Sequence, residues 1–345
     1  MIKRSLYITI AIVAAGLYLH DPLQTSALEK QQRTSPPQEV HAQSLNVEAR
    51  TSTVSNTPNI DSSDSPATAE TKSVSRQSAP AKSPSVLDET VEQWKASLSK
   101  EIGFESWQYA VWNSYPLGPG THGWAILLYK DGKEIGYMIV HSAPGGGLKL
   151  TEYGTGASPL FSMYTLYRSL VQQELIPSSI NYAQFVNTKI IVKQRWYYNP
   201  LQAIWKVTMD ASDYFLDAKT GELLPIEDLP SSDTAASSEA DENPLTGRME
   251  QWLVPSFDPY ERLSWVQGDP VPIQQIDEIG EFKNELQRHS KLTYVSEPYE
   301  DKVTIPLAVL GYQQWGGGRP YLVLDQDGPR YVPFATAVHL GRFYP

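Results

Sequence analysis

From Leu19 to Gln93 the chain has no aromatic residue, and Ser, Thr, Pro, Ala and Gln dominate. Such a stretch cannot bury enough apolar surface to offset the entropy of ordering it. A packed core is therefore confined to the residues after about Leu87. Residues 28–86 read as a disordered Ser/Thr/Pro-rich stalk, whose composition permits glycosylation.

Ahead of the stalk, Lys3 and Arg4 precede an apolar run from Leu6 to Leu19, closed by His20, Asp21 and Pro22. As a helix, roughly 14 residues span about 21 Å, short of the roughly 30 Å hydrocarbon core. Residues 1–27 thus read as a signal peptide, with Thr25-Ser26-Ala27 as a small-residue cleavage site near Ala27, or as an uncleaved membrane anchor. The long stalk favours the anchor. Either way the positive charges stay inside and the remainder is extracytoplasmic.

Composition excludes several classes. The formal net charge is -11 and there is no cysteine. An acidic chain lacks the basic face of a nucleic-acid binder. Disulfides, thiolate nucleophiles and Cys-based zinc sites are all removed. The segments 87–230, 231–247 and 248–345 each carry roughly four excess negative charges, the pattern of a solvated surface.

Apolar periodicity then sets the organisation. Leu87, Val91, Trp94, Leu98 and Ile102 form one helical stripe, with Ser85 as N-cap and Gly103 as terminator. Trp124–Tyr129 and Glu134–Val140 flank Asp131-Gly132, a hairpin signal. Leu148–Gly154 reads as another strand, and Ser158-Pro159 opens a helix to Val171 with Leu160, Tyr164, Tyr167 and Val171 on one face. Ile190–Tyr198, Ala203–Met209 and the Tyr214 hairpin complete an antiparallel set. Residues 229–247 have no apolar period and read as an acidic linker. Beyond them, Ile276–Leu286 fits a helix, and 303–310, 321–324 and 331–334 fit short strands. The expectation is an α+β chain of two small domains, 87–228 and 248–345, with antiparallel sheets and few helices.

Chemistry is harder to find. None of the six histidines has a metal-ligand spacing, and His122 and His141 read as structural. Gly145–Gly147 and Gly316–Gly318 lack a phosphate-loop ending and read as hairpin loops. Asp210, Asp213 and Asp217 lack a calcium-loop pattern and read as turn residues. No catalytic residue, cofactor or metal site is expected. Aromatic residues carry more information: most belong to the core, but Trp107, Tyr109, Trp112, Trp196 and Tyr198 are a candidate binding surface, with 107 and 109 on one face of a strand.

Trp205-x-Val207, followed by Tyr214-x-Leu216-Asp-Ala-x-Thr-Gly-Glu222, resembles the PepSY-type module, with Leu216 where the family usually has Val. Gly136-Tyr-Met-Ile-Val140 and Leu150-Thr-Glu-Tyr-Gly154 resemble strands of streptopain-type propeptides. These resemblances imply a module that inhibits or chaperones extracellular peptidases, although without a cysteine no active cysteine peptidase follows. The reading is a non-catalytic extracytoplasmic protein attached through its N-terminal segment, with an extracellular protein or peptidase as partner. A hydrolase using an Asp/Glu pair and a structural cell-wall spacer stay open as alternatives.

Overall fold

A computed structural model describes residues 85–118, 121–143, 145–230, 245–273, 279–316 and 318–345. The expected leader, the stalk up to residue 84 and most of the acidic linker lie outside the described residues.

The fold is α+β, dominated by antiparallel sheets. After helix α1 (Val86–Leu98) and a 3-10 turn (Glu105–Tyr109) come β1 (Val111–Pro116), β2 (Gly123–Lys130), β3 (Lys133–Ser142) and β4 (Leu148–Thr155). Helices α2 (Met163–Gln172) and α3 (Tyr182–Asn187) lead to β5 (Val192–Asn199), β6 (Gln202–Met209) and β7 (Ser212–Asp217). The second half contributes β8 (Met249–Leu253), α4 (Ser264–Gln267), α5 (Gly280–Arg288), β9 (Thr293–Ser296), a single turn α6 (Pro298–Asp301), β10 (Ile305–Trp315), β11 (Tyr321–Asp325), β12 (Pro329–Pro333), α7 (Phe334–Leu340) and β13 (Gly341–Tyr344).

Ten strands form one sheet in the order β1-β2-β3-β4-β12-β11-β10-β9-β13, with β8 also on β10; β5-β6-β7 form a second sheet. The two halves of the sequence therefore share a sheet. Arg330 of β12 lies opposite Gly154 of β4, and Tyr331 opposite Tyr153. The change in composition at 229–247 does not divide the fold, and the described residues after 84 form one compact unit.

Both faces of the large sheet are covered at its inner strands, so β2, β3, β10 and β11 read as largely apolar runs, whereas the edge strands β1 and β8 are mostly exposed. On one face Ile126, Leu128, Met138, Val140, Tyr153 and Val323 pack with Val91, Trp94 and Leu98 of α1. On the other, Ala125, Leu127, Tyr137 and Ile139 meet α2, α3 and the inner face of the small sheet, including Trp205 and Val207. Farther along that sheet Phe282 of α5, Phe334 of α7 and Phe343 of β13 close a third cluster. The small sheet's outer face, through Ile204, Phe215 and Tyr198, packs on Tyr299.

Local chemistry explains most element ends. Ser85 caps α1 in a capping box with Asp88. The helix stops at Leu98, and Ile102, expected on its buried stripe, is 75% exposed. Helix α2 begins later than Pro159 because Phe161 takes a left-handed conformation (φ 62) and Ser162 supplies the cap, accepting from the Thr165 amide at 3.1 Å. Its buried residues are Leu166, Ser169 and Leu170, whereas Tyr164 faces solvent.

Candidate functional site

Two β-bulges decide which acidic side chains enter the space between the sheets. Leu128 pairs with Gly136 but Tyr129 pairs with Glu134, which leaves Ile135 as an extra residue. Likewise Ile139 pairs with Glu152 and Val140 with Leu150, which leaves Thr151 extra. A bulge breaks the strict two-residue alternation of a strand. It puts Glu134 and Glu152 on the side that meets the small sheet, while Ile135, Leu150 and Tyr153 pack on the α1 side. From the facing strand β5, the alternate residues Lys193, Arg195 and Tyr197 are directed into the same seam.

One end of this seam is sealed. Glu152 is fully buried and Arg330 is 2% exposed. Arg330 Nη2 donates to both oxygens of Glu152, at 3.0 and 3.3 Å, and to the carbonyl of Pro200. The hydroxyls of Tyr137 and Tyr197 donate to the other lone pairs of Glu152, at 2.5 and 2.9 Å. Burial and then the Glu152 charge push both phenols well above their ordinary range. Burial alone would discharge Arg330, but Glu152 reverses that and raises it. The geometry is that of a structural ion pair, closed to any ligand.

The Asp217–Glu222 turn locks onto the same region. Asp217 Oδ1 accepts from the amides of Lys219 and Thr220, both at 2.8 Å, which fixes the turn. Lys219 is only 3% exposed, and its ammonium donates to the carbonyls of Ser158 (2.5 Å) and Asp327 (3.2 Å). Burial, followed by the charge of Arg330, lowers it to about 8. The folded state releases this proton before the unfolded chain does, so its contribution to stability rises as pH climbs from about 8 towards 10.5.

His141 sits beside the sealed end, Nδ1 2.7 Å from the Thr151 hydroxyl and its ring 5.5 Å from Tyr197. Burial, then Lys149, lowers it to about 4. The unfolded chain takes up this proton near pH 6.5 and the folded state only near 4, so acidification through that window destabilises the fold. His141→Gln is expected to flatten that acid slope by up to about 1.4 kcal/mol per pH unit, measured as urea midpoints from pH 7 to 4. Identical slopes in the two proteins would contradict the placement.

The other end of the seam is half-open. Arg195 Cζ lies 4.2 Å from the Tyr115 ring centroid and 4.5 Å from that of Trp205. Its Nε is buried without a hydrogen-bond partner among the described residues. Burial lowers the guanidinium to about 10, against the opposing influence of Tyr115, Tyr129 and Glu134. Glu134 does not neutralise it by contact, because its carboxylate serves the start of α2. Ser162 Oγ donates to Glu134 Oε2 at 2.5 Å, and the Met163 amide also donates. Burial nevertheless holds Glu134 above the usual carboxylate range. Around this mouth stand Tyr115 and Tyr129, with hydroxyls 3.4 Å apart, and an outer pair, Tyr164 and Tyr182, 52% and 39% exposed.

The five aromatic residues expected to form a binding surface are dispersed. Residues 105–109 form a 3-10 turn rather than a strand, so 107 and 109 do not share a strand face. Trp107 is completely buried, edge-on to Phe104 at 4.9 Å, and belongs to the core. Tyr109 is 73% exposed, while the Trp112 indole donates to Glu92 at 2.7 Å. Trp196 and Tyr198 stack at 6.3 Å on the outer side of β5, where Tyr198 is buried. Of the residues that do converge, Tyr115, Tyr129, Tyr182 and Arg195, only Arg195 lies on the strand that alternates Lys193, Arg195 and Tyr197 amid aromatics.

The expected turn aspartates are likewise separate, Asp213 paired with Lys206 at 2.7 Å and Asp217 within its own turn. A second opening, a cleft of about 670 Å³ at the β13 edge, is lined by Val271, Ile273, Glu297, Asp301, His339 and Arg342. Its two carboxylates are exposed. Among the described residues no helix is long and apolar enough to cross a membrane. The chain matches no family model, no curated protein and no solved structure.

Proposed function

We propose that this chain is a non-catalytic module that binds a protein partner outside the membrane and modulates it. An extracellular peptidase is the partner class that the PepSY-like hairpin and propeptide-like strands imply. The observation that carries the reading is the half-open mouth, where a cation whose buried Nε has no acceptor among the described residues is framed by tyrosines. Tyrosine and arginine are the side chains that most often anchor a protein partner, because each offers a large rigid surface with a polar end.

The hydrolase alternative needs two carboxylates placed across a cleft, one of them available as an acid. Glu152 is sealed behind Arg330 and two tyrosines, and Glu134 serves the start of α2. The test uses the tagged full chain, cross-linked on intact cells. Recovery of an extracellular peptidase whose turnover changes when purified chain is added is the expected result. Hydrolysis of peptide or glycan by the purified chain, abolished by Glu134→Gln, would overturn it in favour of the enzyme.

A further inference from the structure

We infer that Arg195 is the recognition point for a carboxylate on the bound partner, in a segment with an apolar or aromatic residue next to that carboxylate. This rests on the binding reading above and names the chemistry of its ligand.

The Arg195 guanidinium is stacked between two aromatic rings. A ring pressed against its face satisfies the charge by attraction to the π system but leaves the in-plane N–H groups unused. Rings of Tyr115 and Trp205 both lie within 4.5 Å of Cζ, and the buried Nε has no acceptor among the described residues. Arg330, deeper in the seam, leaves its Nε unpartnered as well, but its terminal nitrogens donate to a carboxylate, an amide oxygen and a carbonyl.

A planar fork held by stacking is preorganised for a carboxylate, which can accept two parallel N–H bonds in the same plane. Fixing the side chain before binding removes much of the rotamer entropy that a free arginine would lose. Glu134 would compete for this role if it pointed at the fork, but its hydrogen bonds to Ser162 and the Met163 amide tie it to α2. The hydroxyls of Tyr115 and Tyr129 add polar groups at the mouth, and exposed Tyr164 and Tyr182, with rings 5.6 Å apart, supply the apolar wall for the neighbouring residue. Both a chain's C-terminal carboxylate and an Asp or Glu side chain have this chemistry.

The test is calorimetric titration of the full chain with two pairs of short peptides. One pair is acetylated Ala-Tyr-Phe as free acid and as amide; the other is acetylated Glu-Tyr-Phe amide and its Gln counterpart. The acid form of at least one pair is expected to bind at least tenfold more tightly than its neutral form, and which pair does so identifies the source of the carboxylate. Arg195→Lys keeps the charge but not the fork, and is expected to remove that preference while leaving the melting temperature within a few degrees. Equal binding of acid and neutral forms, no detectable binding of either, or a preference retained by R195K would overturn the assignment. The two readings fail differently. A cross-linked partner held equally well by R195K removes the carboxylate assignment alone, whereas an acid preference without any cell-surface partner removes the protein-binding reading.

Discussion

Arg330→Met lowers the free energy of unfolding by about 3–5 kcal/mol, the cost of leaving a buried charge without its partner. The arginine satisfies Glu152, the Pro200 carbonyl and Gln326 at once, and the Glu152–Arg330 pair itself is buried. Methionine fills similar space but leaves Glu152 with only the hydroxyls of Tyr137 and Tyr197. In the Glu152→Gln, Arg330→Met double variant the stranded charge is gone, so the combined loss is smaller than the sum of the single losses. Guanidinium denaturation of the four proteins gives these values. Because Glu152 belongs to the first half of the chain and Arg330 to the second, fluorescence and circular dichroism should report one coincident transition. An Arg330→Met protein as stable as its parent would remove the seam from the account of how the halves are joined.

The second large effect is expected at Gly154. A Cβ built there would lie 2.6 Å from Cε1 of Tyr137 and 2.8 Å from the carbonyl oxygen of Pro329. Neither neighbour can yield cheaply. The Tyr137 ring is held by its hydroxyl on Glu152, and the carbonyl belongs to the backbone of β12 beside it. Gly154→Ala should therefore cost about 3 kcal/mol, the upper range for overpacking a core. Removing the ring relieves half of the clash, so Gly154→Ala with Tyr137→Leu should lose less than the two single variants added together. The denaturation midpoints of all three decide this, and a neutral Gly154→Ala would contradict the close packing of β3, β4 and β12.

These two positions also show where the amino-acid sequence is informative. Gly136-Tyr-Met-Ile-Val140 and Leu150-Thr-Glu-Tyr-Gly154 stand out as a pattern, and the fold gives the pattern a physical cause. Gly136 makes room for Trp107, Gly154 makes room for Tyr137, and Tyr137 reaches Glu152. The hairpin around Asp131-Gly132 and the capped helix α1 are legible for similar reasons, since turn chemistry and capping act over three or four residues. So is the Asp217 turn, whose side chain binds the amides just after it.

Long-range features are not encoded so locally. Plain alternation along β4 would place Glu152 on the same face as Leu150, and only the extra residue Thr151 reverses that. The pairing of β4 with β12 joins residues on either side of the acidic 229–247 segment, which looks like a domain boundary when composition alone is read. Lys219, in a polar turn, has the signature of a solvent-facing lysine, yet its ammonium is taken up by the Ser158 carbonyl and by the Asp327 carbonyl of the β11–β12 turn. Trp107 and Tyr109 suggested a strand by their spacing, but a spacing of two cannot separate a strand from a 3-10 turn. Arg195 was hidden for the same reason as Glu152: its importance depends on what lies across the seam.

The seam has two ends: Glu152 and Arg330 join the halves at one, and Arg195 at the other is the end proposed to meet a partner. The most direct test is the affinity of the cross-linked partner for the full-length parent and Arg195→Gln proteins, corrected for folded fraction from their melting curves. A loss of tenfold or more with at least nine-tenths of the variant still folded is the predicted result. An unchanged affinity, or a loss that merely follows the unfolded fraction, would contradict it.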